Sequence, residues 1–193
     1  MAVREIGRVR LVVVFLAALA AGCRPPTPVP STPPVVDLWE AYREADVAAR
    51  AEAGDAKLVS ASAQWQGVDA ETLLAGTGRW SFVFYSAQEQ AVLDVVVDTA
   101  GAQVVNRTRV WTPPRVLELG AWREGPRDAL SIFLAYGGRE FLERYPEAVV
   151  SLHLGATETG GARWSLDALD LGSRETLSVR IDAESMQVLP TSP

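Results

Sequence analysis

The chain is predicted to adopt an α+β fold: two tandem repeats, each a helix packed on a curled antiparallel sheet of about four strands. Three observations predict it. Short runs of alternating apolar and polar residues recur through the second half, as in Val150, Leu152 and Leu154 against Ser151 and His153, the pattern of strands with one buried face. Residues at helical spacing precede each set of strands. Finally, the chain repeats itself. A shift of 84 positions carries Arg79-Trp80-Ser81 onto Arg163-Trp164-Ser165, and carries Leu93, Val95, Val97 and Asp98 onto Leu177, Val179, Ile181 and Asp182. Gln103-Val104 falls on Gln187-Val188 at the same shift, and paired tryptophans with an alternating apolar triplet make a duplicated supersecondary unit the natural reading.

The first repeat, 36–109, opens with Asp37 as a helix N-cap and Glu40 three residues on, followed by Leu38, Tyr42, Ala45 and Ala49 on one helical face. Gly54-Asp55 ends that helix. Val59, Ala61 and Ala63 begin the strands and match Val150, Leu152 and Leu154 if about seven residues are inserted in the first copy. That insertion lies in Gln66 to Gly78 and reads as a long hairpin loop. Asp98-Thr99-Ala100-Gly101 has the residues of a type I turn, with Asp182-Ala183-Glu184-Ser185 as its counterpart.

The second region, 110–193, holds a connector and the second repeat. Its helix starts at Gly125-Pro126, where proline suits the first turn, and bends at Gly137-Gly138 before Phe141, Leu142 and Tyr145. Trp164, Leu166 and Ala168 supply one strand and Leu177, Val179 and Ile181 the next. In the first copy, Val83, Tyr85, Val92 and Val96 add apolar groups to the face that is polar in the second. Packing against the sister repeat or the Trp111 to Trp122 connector is the expected cover, with an exposed groove for a partner as the alternative.

Ahead of the repeats, Arg4, Arg8 and Arg10 precede the twelve uncharged residues Leu11 to Gly22, and then comes Cys23, the chain's only cysteine. Twelve residues are too few for a spanning helix, which needs about 20, and suit the apolar core of a signal peptide. With small Ala21 and Gly22 before the thiol, 1–22 resembles a bacterial lipoprotein signal. That resemblance implies cleavage before Cys23, lipidation of its sulfur, and an extracytoplasmic protein held to a bacterial membrane. Residues 23–35 contain half of the twelve prolines and read as a stiff, solvated tether reaching roughly 30 Å.

The order of helix, strand, Trp-led strand, alternating strand ending in Asp, and Gln-Val strand resembles PepSY-like and cystatin-like modules of bacterial exported proteins, over roughly Val36 to Val105 and Pro126 to Leu189. The resemblance implies binding or modulation of a partner, often a peptidase, without catalysis.

The reactive groups point the same way. His153 is the only histidine, and Ser151 and His153 are about 7 Å apart along one strand face, with no glycine-flanked nucleophile turn. A Ser151, His153 and Asp167 constellation is therefore disfavoured, and no catalytic residue, cofactor site or metal site is assigned. Removing Arg4, Glu5, Arg8 and Arg10, a net of +2, takes the charge from -6 to -8, which excludes a nucleic-acid partner. Trp80 and Trp164 are expected in the core, whereas Trp65, Trp111 and Trp122 have no repeat counterpart and form the candidate binding surface. The functional expectation is a non-enzymatic lipoprotein, anchored in the membrane through Cys23, with an envelope protein as partner. The alternatives are a periplasmic binder of a small apolar or glycan ligand between the repeats, and a hydrolase.

Overall fold

The computed structural model describes residues 35–118, 120 and 125–190. Cys23, most of the tether and Trp122 lie outside the described residues. The first helix, α1 (Leu38–Glu52), begins where Asp37 accepts hydrogen bonds from the Trp39 and Glu40 amides at 2.9 and 3.1 Å, satisfying donors that a helix start leaves open. Its buried side is Leu38, Ala41, Ala45 and Ala49. Three alanines at that spacing let the helix axis come close to the sheet beneath it.

Strands β1 (Lys57–Gln66), β2 (Arg79–Ser86), β3 (Ala91–Asp98) and β4 (Gly101–Arg109) follow, with a short helix, α2 (Ala70–Ala75), between the first two. The second half contains α3 (Pro126–Phe133), a π-helical turn at Leu134–Gly138, α4 (Arg139–Arg144), and strands β5 (Val149–Ala156), β6 (Ala162–Leu169) and β7 (Thr176–Asp182). The expected bend is this turn, where Tyr136 and Gly137 leave helical geometry and Gly137 takes φ of 99°, a region that favours glycine. Gly138 is needed for another reason: a Cβ there would lie 2.5 Å from the Phe133 ring.

All seven strands form one antiparallel sheet in the order β4-β3-β2-β1-β5-β6-β7. The expectation of about four strands per repeat leaves open whether one sheet is shared; the structure has a single seven-stranded sheet in place of two distinct repeat modules. The first strand of each half pairs with the other, from Ser60 opposite Gly155 to Gln66 opposite Val149, so the two ladders fuse at their common edge. Among the described residues the second half also has no full fourth strand. There, Gln187-Val188 makes a single bridge, Val188 to Ile181.

The helices stack on one side. Trp80, Phe82, Leu93, Val95, Leu152, Leu154, Trp164 and Leu166 project from the sheet into a core shared with Ala45, Leu73, Leu130, Phe133 and Leu142. Gln66 to Gly78 is more than the hairpin loop expected, since Asp69 caps α2 through the Thr72 amide and Leu73 is fully buried.

Two registers coincide. Arg79 to Tyr85 pair with Asp98 to Val92 in the first half, and Arg163 to Leu169 pair with Asp182 to Thr176 in the second, each pair displaced by 84. Measured through their pairing with β2 and β6, Ser62 and His153 occupy corresponding positions. These two residues also face one another in the β1-β5 pairing. A local two-fold axis normal to the sheet therefore passes between Ser62 and His153.

Candidate functional site

The face of the sheet turned away from the helices extends across all seven strands. Because strand side chains alternate, every second residue projects here. Across the middle run Ser81, Ser62, His153 and Ser165, direct neighbours on β2, β1, β5 and β6. One row away lie Gln64, Ser151, Asp167 and Ser178; on the other side lie Val83, Ser60, Gly155 and Arg163. The centre is thus paved with serines and a glycine, with longer side chains around it.

Short side chains at the centre leave a depression of about 560 Å³, lined by Ser62, Gln64, Arg79, Ser81, Ser151 and His153 together with Ala63 and Leu152. No carboxylate lines it. Arg79 and Arg163 occupy corresponding places in the two halves, and neither guanidinium takes part in an ion pair among the described residues. Arg180 differs, because it donates to Asp167 at 3.0 Å.

His153 lies back along its own strand over Gly155, where an added Cβ would come within 2.8 Å of Nε2. The missing side chain at 155 is what makes room for the ring. Desolvation by the surrounding sheet is the first influence on its pKa and lowers it, Arg163 and Arg180 push the same way, and Asp167 opposes them. The residue is exposed, so solvent softens these effects, but their direction favours the neutral imidazole.

The imagined catalytic constellation is not assembled. Asp167 accepts from Ser178 and Arg180, and among the described residues no hydrogen bond joins His153 to Ser151 or Asp167. Among the same residues there is no group of three or more potential metal ligands, and no helix is long and apolar enough to cross a membrane.

Of the candidate tryptophan surface, Trp65 is corrected. Trp65 is a core residue, 7 % exposed, with Nε1 donating to the Gly76 carbonyl at 2.8 Å. The inserted α2 segment curls back over the end of β1, which a reading of that segment as a loop could not foresee. Trp111 stands 89 % exposed on the connector. The apolar additions to the open face are not covered by Trp111; Tyr85 is buried, and Val83, Val92 and Val96 are half-buried. The serine-paved depression was missed because serines on a strand read as ordinary solvent-facing residues until neighbouring strands gather them. The available signal was the serine content of the polar face, at Ser60, Ser62, Ser81, Ser151 and Ser165.

Comparison with known proteins shows a shared fold. No protein-family model matches the chain, and no curated protein sequence matches it. The structure is similar to the crystal structure of a "putative lipoprotein" from Clostridium difficile 630, with a TM-score of 0.50 and 12 % sequence identity over 80 % of this chain and 91 % of that one. At that identity the likeness is one of fold.

Proposed function

We propose that this protein is a lipid-anchored, extracytoplasmic binding or modulatory protein without catalysis, built from two copies of one PepSY-like or cystatin-like unit. Cys23 carries the anchor, the Pro-rich tether holds the body off the membrane, and an envelope protein such as a peptidase is the partner. The common register of β2-β3 and β6-β7 supports the duplication. One observation carries the binding role: in a chain of net charge -6, the open sheet face has at its centre a depression free of carboxylates, beside Arg79 and the only histidine. Polar, hydrogen-bond-rich concavities of this kind orient a bound group.

The test compares affinity capture from envelope extract by the intact chain and by Ser62→Trp, which fills the depression. The same envelope protein should be enriched by the first and lost by the second. Equal capture by both would remove the site. The lining hydroxyls, Gln64 and Arg79 also favour a polar glycan as second reading, which requires saturable stabilisation of the intact chain by envelope glycan in the absence of protein capture. Reproducible hydrolysis lost in His153→Ala would overturn the non-catalytic reading. For the anchor, mass spectrometry of the mature N-terminus should find diacylglycerol on Cys23, and a free thiol there would refute it.

A further inference from the structure

The two ends of the sheet are finished differently. Strand β3 is paired along its whole length by β4, from Asp98 opposite Gly101 to Ala91 opposite Arg109. Strand β7, which has the register of β3, is paired on its outer edge, among the described residues, only near its end. There Asp182 donates to the Gln187 carbonyl, and Leu189 donates to that of Arg180. Backbone groups alternate in direction along a strand, so Ser178 and Thr176 also turn theirs outward. Among the described residues no strand pairs with them.

Beside that edge is a cleft of about 260 Å³ between β7 and α4, lined on the strand side by Glu175, Thr176 and Leu177 and on the helix side by Gly137, Glu140, Phe141, Arg144 and Tyr145. Phe141 and Tyr145 have ring centroids 4.8 Å apart and are only half-buried. Unlike α1, which runs unbroken and touches β4, the second helix breaks at Gly137, and its second piece borders the cleft.

From these features we infer that the β7 edge, at Thr176 and Ser178, is a docking site for an extended segment of a partner protein, which adds an antiparallel strand and places a basic side chain in the α4 cleft. The strand form follows from the outward backbone groups and from β4, which occupies the corresponding edge in the first half. A basic residue follows from charge and surface: the cleft has Glu140 and Glu175 against Arg144, and its rings can face a cation while the aliphatic stem covers Leu177. The corresponding place beside Leu93 is taken by Arg107, whose guanidinium pairs with Glu89 at 2.9 Å. This mode of recognition takes affinity from the main chain and specificity from alternate side chains. It is separate from the depression at the centre of the sheet.

The experiment selects random nonapeptides displayed on phage against the intact chain. Enriched peptides should alternate β-branched or aromatic residues with a recurrent Arg or Lys. Their affinity should fall at least tenfold for Ser178→Pro, which removes an outward donor, and for Glu140→Lys with Glu175→Lys, which leaves the backbone edge intact. Amide exchange in the free protein should be fast at Ser178 and slow when peptide is bound. Failure to enrich any sequence, or binding to either variant as tight as to the unaltered chain, would overturn the inference. So would protection at Ser178 in the free protein, whether it disappears on deletion of Thr191 to Pro193, which assigns the edge to the chain's own tail, or on dilution, which assigns it to a second copy.

Discussion

Ser86 is fully buried, and its hydroxyl has both of its roles used: it donates to Asp55 and accepts from the Glu89 amide. Asp55 also accepts from the Gln88 amide, so one carboxylate joins the loop after α1 to the β2-β3 turn. The Ser86 hydroxyl is the first cause of the lowered Asp55 pKa, and comparable hydroxyl and amide donors lower those of Asp69, Asp170 and Asp182. A carboxylate whose folded pKa is depressed stabilises the fold above its unfolded pKa of about 3.9 and loses that contribution as pH falls through the folded value. Thermal scans should therefore show a steep loss of stability below about pH 4, and Asp55→Asn should lessen that slope while lowering Tm at neutral pH. The lowered pKa of His153 acts with the same sign at a higher window. Stability should decline slightly as pH drops below about 6.5, and His153→Gln should remove that decline.

At the scale of elements, close approach decides what each helix tolerates. Ala45 is completely buried between α1 and the sheet, so Ala45→Leu should cost about 1–3 kcal/mol in denaturant melts through overpacking. Gly138→Ala should cost a similar amount, about 1–3 kcal/mol, because the new methyl meets both the ring and the carbonyl of Phe133. Much at this scale was legible in the sequence. Asp37 announced the start of α1, Gly137-Gly138 announced the break before α4, and the alternation of Trp164, Leu166 and Ala168 revealed which face of β6 is buried. What could not be read was the pairing of β1 with β5, because Ser62 and His153 are 91 residues apart and alternation specifies a face, never a neighbour. The β1 bulge hid a further detail. Leu58 and Ser60 face consecutive residues of β2, so Val59 is the extra residue and Leu58, rather than Val59, corresponds to Val150. The depression on the open face was illegible for the same reason as the central pairing: its lining residues come from β2, β1 and β5 and share no local spacing.

For the molecule as a whole, the fused sheet predicts that the two halves stand or fall together. Each half presents β1 or β5 as an edge that is alternately apolar and is covered only by the other half, and an exposed apolar edge is an aggregation hazard. Unfolding of the intact chain by urea should be a single transition, with tryptophan fluorescence and far-ultraviolet dichroism coincident. Two separated transitions would show halves that fold independently. Ala61→Pro, placed in a central strand whose neighbours lie on both sides, should unfold the second half as well as the first, a result visible in the loss of amide protection on β6.

The local axis between Ser62 and His153 has a consequence for how such a face can specialise. If two separate copies of one unit met along this strand, symmetry would set each residue on the axis against itself: two serines, or two histidines crowding the same spot. With both strands in one polypeptide that restriction is absent, because each position is encoded once. The centre of the sheet can hold a single imidazole, offset to one side over a glycine, and the surface acquires a left and a right.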